Sequence, residues 1–313
     1  FVGSQAGHGG NTSAPYSSGQ NNVAIGYQAL YVENTGTYAV SIGYRSGYKN
    51  RLSAQNENVF LGTNAGRENT DGNDNVYVGF GAGYGISGEG AANNVAIGNL
   101  ALFYAKGNDN VVIGHSAGWY ATGSYNTFVG SEAGKGGTTS APFSSGTSNV
   151  AMGYQALKGF TTGGSNTAVG FYSGKSITTA TSNTLMGIFS GDALTTGGEN
   201  TAIGHSALSA EDTGTRNVAV GNQAFIKLNY DGTGYNTGLG YGAGYHNVLG
   251  VSNTYLGGQA GLNATGSYNT FVGHLAGYGG NTSAPYSSGQ NNTAVGYEAL
   301  DAFTTGDNNV ALG

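Results

Sequence analysis

Asn22-Val23-Ala24-Ile25-Gly26-Tyr27-Gln28-Ala29-Leu30 returns, with substitutions, along nearly the whole of the 313-residue chain. Take Val23 as position zero. The same position is then held by Val40, Val59, Val76, Val95, Val111, Thr127, Val150, Thr167, Thr184, Thr201, Val218, Thr237, Thr254, Thr270, Thr293 and Val310. The steps are mostly 16, 17 or 19 residues, with longer steps of 23. The residue before position zero is Asn in every copy but one, which has Ala39. Position two is a large apolar residue, position three is Gly, and position six is Ala or Ser. Position seven is Gly, Leu or, once, Phe225.

Each column has a physical reading. Alternation of positions zero and two predicts a strand of about four residues with those two columns on one face. The Gly ends the strand, because it permits a corner or lets a neighbouring backbone come close. Turns rich in Thr, Gly, Asn and Asp follow, such as Thr122-Gly123 and Asp307-Asn308. A helix cannot carry Gly at this density. Like residues returning at every turn are the mark of stacked repeats. The expected fold is therefore all-β, a parallel β-solenoid (a β-roll or β-helix) of about 17 residues per turn and about 18 turns. It is expected to run as one array over residues 1–313, cut from a longer chain. The Asn column should form a ladder of side-chain amides.

In this reading Ile25, Ile42, Leu61, Ile97, Ile113, Ile203 and Leu256, all at position two, form the solenoid core. Position one then faces outward, yet it carries Phe60, Tyr77, Phe128, Leu185, Tyr255 and Phe271. A strand apolar on both sides is buried on both sides. Those six residues are accordingly expected on an oligomer or packing face, most simply of a homotrimer.

Composition narrows the classes. There are 60 Gly and 8% charged residues, where an ordinary domain carries about 25% charge. Collagen would need Gly at every third position and abundant Pro, but only three Pro occur. Disorder would need few aromatics and high net charge. The chain has 22 Tyr, 12 Phe and a formal charge of −6. The slight acidity argues against a nucleic-acid binder, which would show a basic stripe, and no apolar run has the length of a membrane span. With no Cys, no disulfide or thiolate site exists.

No catalytic, cofactor or metal motif stands out. Gly114-His115-Ser116-Ala117-Gly118 matches the G-x-S-x-G pattern, but it is only positions three to seven of the common repeat. His115, His205 and His274 share position four several turns apart, too far to ligate one ion. The chain is expected not to be an enzyme and to need no cofactor. Three long turns, 9–22, 136–149 and 279–292, are near-copies and hold every Pro. Insertions in solenoids map to surface loops, which makes Tyr16, Phe143 and Tyr286 candidate contact residues.

The motif N-[VT]-A-[IV]-G-x-x-[AS], as in 22–29 and 200–207, resembles the head repeats of YadA-like trimeric autotransporter adhesins. It is also similar to the N-T-A-I-G-Y-x-A-L repeats of phage tail fibres. That resemblance implies a left-handed β-roll, usually trimeric, at a cell or virion surface. The expected function is the structural shaft of an extracellular fibre, with self-association along it. The alternative is an adhesin that binds a cell-surface glycan or receptor through the long loops.

Overall fold

The computed structural model describes residues 1–9, 19–32, 36–50, 57–137 and 143–313. The described residues form an all-β parallel solenoid of about 17 residues per turn, without helix. They fall into two compact units, 1–162 and 163–313. The first holds β1 (Val23–Ile25), β2 (Val40–Ile42), β3 (Val59–Leu61), β4 (Val76–Val78), β5 (Val95–Ile97), β6 (Val111–Ile113), β7 (Thr127–Val129) and β8 (Val150–Met152). The second holds β9 (Thr167–Val169), β10 (Thr184–Met186), β11 (Thr201–Ile203), β12 (Val218–Val220), β13 (Thr237–Leu239), β14 (Thr254–Leu256), β15 (Thr270–Val272), β16 (Thr293–Val295) and β17 (Val310–Leu312).

Within each unit every strand pairs in parallel with the next, residue for residue: Val23 with Val40 and Ile25 with Ile42, Thr184 with Thr201 and Met186 with Ile203. Sequence columns are therefore physical columns. The backbone ladder runs on past the strand, as in Gly43 N–H donating to the Ile25 carbonyl at 2.8 Å.

Four positions of the repeat lie at positive φ: minus two, three, five and seven. In the β16 turn they are Asn291 (56°), Gly296 (129°), Glu298 (52°) and Leu300 (57°). Position three must be Gly for two reasons. Its φ lies outside what side chains adopt, and a Cβ on Gly26 would stand 2.5 Å from the Gly43 oxygen. Position seven is different, because Leu30, Leu102, Leu157 and Leu208 hold φ near 50° there. A left-handed Leu costs about 1–2 kcal/mol. Burying its side chain returns about 1.5–3 kcal/mol, and these leucines are essentially sealed from solvent. Burial wins.

The lumen corrects one sequence expectation. Position one points inward: Phe60, Tyr77, Phe128, Leu185, Tyr255 and Phe271 are fully buried within the solenoid. Phe60 stacks on Tyr77 at 5.3 Å, and Tyr255 on Phe271 at 5.2 Å. Position two points outward. Ile25, Ile42, Ile97, Ile113 and Ile203 are exposed, and Leu61 and Leu256 are half-buried. The cause lies in the Asn column. Positions minus one, one and three share a face of the strand, and the Asn amides need an interior.

They find it. Asn75 N–H donates to Asn58 Oδ1 at 2.9 Å, Asn94 N–H to Asn75 Oδ1 at 3.0 Å and Asn110 N–H to Asn94 Oδ1 at 2.9 Å. The second unit repeats this from Asn183 through Asn309. The amide Nδ2 then reaches a turn carbonyl, as Asn200 does at Gly214 (2.8 Å) and Asn253 at Gly266 (3.0 Å). The expected amide ladder is present, and it is buried.

Candidate functional site

The outer strand face is built from columns zero and two. Val23, Ile25, Ile97, Val111 and Ile113 in the first unit stay more than a third exposed, as do Met186 and Leu239 in the second, Leu239 at 52%. An isolated chain thus shows water a periodic strip of branched and aliphatic side chains. Such strips on soluble proteins mark interaction surfaces. Beyond the Gly corner, column four continues the apolar character with Tyr27, Tyr44, Phe80, Tyr154, Phe171 and Ile188, all exposed.

A second column, position eight, carries rings and cations in the first unit. Tyr31 stacks on Tyr48 at 5.1 Å and Tyr84 on Phe103 at 4.7 Å. Arg67 inserts between Tyr48 and Tyr84, 5.8 and 5.3 Å from their ring centres, and Lys135 sits 5.4 Å from Trp119. Each cation over a ring face is worth about 0.5–1 kcal/mol at such half-open sites. Their charge is partly matched at Glu132, which accepts from Lys135 and Lys158 at 2.8 Å each. Partial burial pushes against ionisation there, but the two ammonium groups prevail and hold the carboxyl at about 2.

The loop residues lie closer in than expected. Tyr16 falls outside the described residues. Phe143 folds back onto Tyr104 (4.2 Å) and Tyr120 (6.0 Å), half-buried. Tyr286 folds back onto His246 at 4.0 Å, also half-buried. Each ring thus packs on an earlier turn, beside the backbone bridges Ala121–Ser144 and Ala264–Ser287.

Near Tyr286 the surface carries a trough. One part, about 300 Å³, is lined by Lys227, Tyr241, Tyr245, His246, Gln259 and Leu262. The next part, about 330 Å³, is lined by Gln259, Leu275, Tyr278, Glu298 and Asp301. Gln259 belongs to both. The trough opens at Gly242, at position five, where most other turns carry a side chain. One end is cationic, with Lys227 Nζ 3.1 Å from His246 Nδ1. Burial and Lys227 together lower the His246 pKa.

Two of the buried polar groups stand outside the asparagine ladder and bear on chemistry. Ser116, the middle of the G-x-S-x-G match, is buried at a corner with φ of 53°, and its hydroxyl finds no partner among the described residues. Glu211 is fully buried at position ten, where the neighbouring turns have Leu194 and Leu228. It accepts from Gly214 N–H at 2.8 Å and Tyr230 N–H at 3.4 Å. Desolvation raises its pKa despite them. Repetition hid this residue in the sequence: an occasional acid in a long, mostly uncharged column reads as a turn residue.

No protein-family model, curated protein or solved structure matches the chain.

Proposed function

We propose that the chain is the structural shaft of an extracellular fibre or surface appendage of a cell or virion. It is non-catalytic and associates with further copies of itself, most simply as a trimer, in a left-handed β-roll. One observation supports this reading above others. The lumen is already filled from positions one and seven, so the exposed apolar columns zero and two face away from it. Their spacing is that of the strands, about 4.8 Å. The surface that matches this period along its length is another stack of the same turns, which favours a second copy over an unrelated globular partner. The measurement is the mass of the purified chain by light scattering, with particle shape by electron microscopy. A closed oligomer or a filament supports the reading. A stable monomer at micromolar concentration overturns it.

The trough favours a second reading, a binding module for a glycan or receptor group. Tyrosines, an amide and opposite charges at its two ends suit an extended polar ligand. Shortening loop 279–292, which removes Tyr286 from His246, then abolishes attachment to cells and leaves assembly intact.

A further inference from the structure

At one corner of the β1 and β2 turns, two pairs of tyrosines stack face to face; unlike Tyr104 on Tyr120, they share no ring with a long loop. Tyr27 and Tyr44, both at position four, have ring centres 5.4 Å apart and planes 14° from parallel. Tyr31 and Tyr48, both at position eight, are 5.1 Å apart and 3° from parallel. Arg45 holds the two pairs together. Its guanidinium lies 5.2 Å from the Tyr44 ring and 5.5 Å from the Tyr48 ring, while its Nε donates to Gln28 at 2.8 Å. Tyr27 and Tyr44 are 42% and 44% exposed, so a large oxidant can reach them.

We propose that this corner is an oxidative cross-linking site, at which Tyr27 and Tyr44 couple to dityrosine, with Tyr31 and Tyr48 as the second pair. The oxidant is hydrogen peroxide acting through a peroxidase. Each phenol gives up one electron and one proton, and the peroxide is reduced to two waters. The unpaired electron of a tyrosyl radical is shared with the carbons ortho to its oxygen, in orbitals perpendicular to the ring. Stacked faces therefore aim the reacting orbitals at each other. The ortho carbons bond, and their hydrogens pass to the phenolic oxygens as the rings regain aromaticity. The product has lost two hydrogens in all. Holding both partners in place replaces an encounter between molecules with a step inside one. In a chain with no cysteine, the new bond ties the β1 turn to the β2 turn covalently.

Exposure alone would choose other residues. Tyr125 and Tyr268 are 64% and 56% exposed and stack on no described ring. The experiment treats the dilute full chain with a haem peroxidase and hydrogen peroxide. Dityrosine fluorescence is read first, then cross-linked peptides in the monomeric fraction are mapped by mass. The expected result is an intrachain link of Tyr27 to Tyr44, two hydrogens lighter, appearing before any link at Tyr125 or Tyr268. Tyr44→Phe keeps the ring and removes the phenol, so it should abolish the Tyr27 link without altering the circular dichroism. Tyr31→Phe should abolish the second link alone. Fluorescence confined to intermolecular dimers, first links at Tyr125 or Tyr268, or a Tyr27 link that survives Tyr44→Phe would each overturn the assignment.

Discussion

Phe60 occupies the space that a side chain on Gly66 would need: a Cβ there would stand 2.6 Å from the ring. The relationship recurs as a rule of exchange. Tyr77 goes with Gly83, Phe128 with Gly134 and Tyr255 with Gly261, while Ala24 goes with Leu30, Ala96 with Leu102 and Ala219 with Phe225. Each of these turns supplies one bulky plug, from position one or from position seven. Where both positions are small, as at Gly238 and Gly244, the plug comes from next door, here Phe225. Phe60→Ala alone should cost about 3–5 kcal/mol, and Gly66→Leu alone about 1–3 kcal/mol from overpacking. The double variant recreates the Ala24/Leu30 arrangement and should return to within about 1.5 kcal/mol of the parent. Urea unfolding of the three proteins checks this, and additive losses would refute the rule.

The periodicity, the short strands, the invariant Gly and the amide ladder were all legible in the sequence. The inside of the tube was read the wrong way round. A period of two defines two faces of a strand but does not say which is buried. Uniform Val and Ile columns looked like a core, although Ile25 and Ile97 are exposed. The deciding signal was the coupling of position one to position seven, visible in pairs such as Phe60 with Gly66 and Ala96 with Leu102. The stacking of Phe143 on Tyr104 and of Tyr286 on His246 lies outside any period, so no column announced it.

Adjacent residues separate inside from outside. Val112 is buried and Ile113 exposed. Ile113→Lys should leave stability within about 0.5 kcal/mol of the parent, yet lower the oligomeric mass. Val112→Lys buries an unpaired ammonium and should unfold its turn. Circular dichroism on heating, together with light scattering, separates the two effects.

Removing one rung of the ladder leaves two groups without their partner. In Asn200→Ala, Asn217 N–H loses its acceptor and the Gly214 carbonyl loses its donor. The expected loss is about 2–3 kcal/mol, seen as a lower urea midpoint. Hydrogen exchange should quicken first at Asn217, and unchanged protection there would count against the ladder's role.

Acidity acts through Glu211 and Glu132 with opposite sign. Glu211 has its folded pKa raised above the ordinary 4.5. The folded state therefore binds its proton more tightly, and stability falls as pH rises from 4.5 through the folded value. Glu132, held at about 2, contributes stability that is complete above 4.5 and lost as pH falls towards 2. Glu211→Gln should flatten the decline above pH 4.5 and leave the acid limb intact. Lys135→Ala with Lys158→Ala should do the reverse. Urea midpoints taken across this range measure both.

Seen from solvent, the turns are nearly interchangeable, since columns zero and two repeat almost without variation. The plugs behind them follow no such monotony: Leu30, Phe60, Tyr77, Leu102, Val112, Phe128 and Leu157 come in irregular order. A stack that skipped a turn would satisfy its strands and its asparagines, but it would set ring against ring or open a void. Gly47 shows how closely each layer is cut to its neighbours, with Leu30 below and Phe60 above both within 3.0 Å of its missing Cβ. The hidden interior thus acts as an address for every turn, and the chain proofreads its own winding with residues that no partner ever touches.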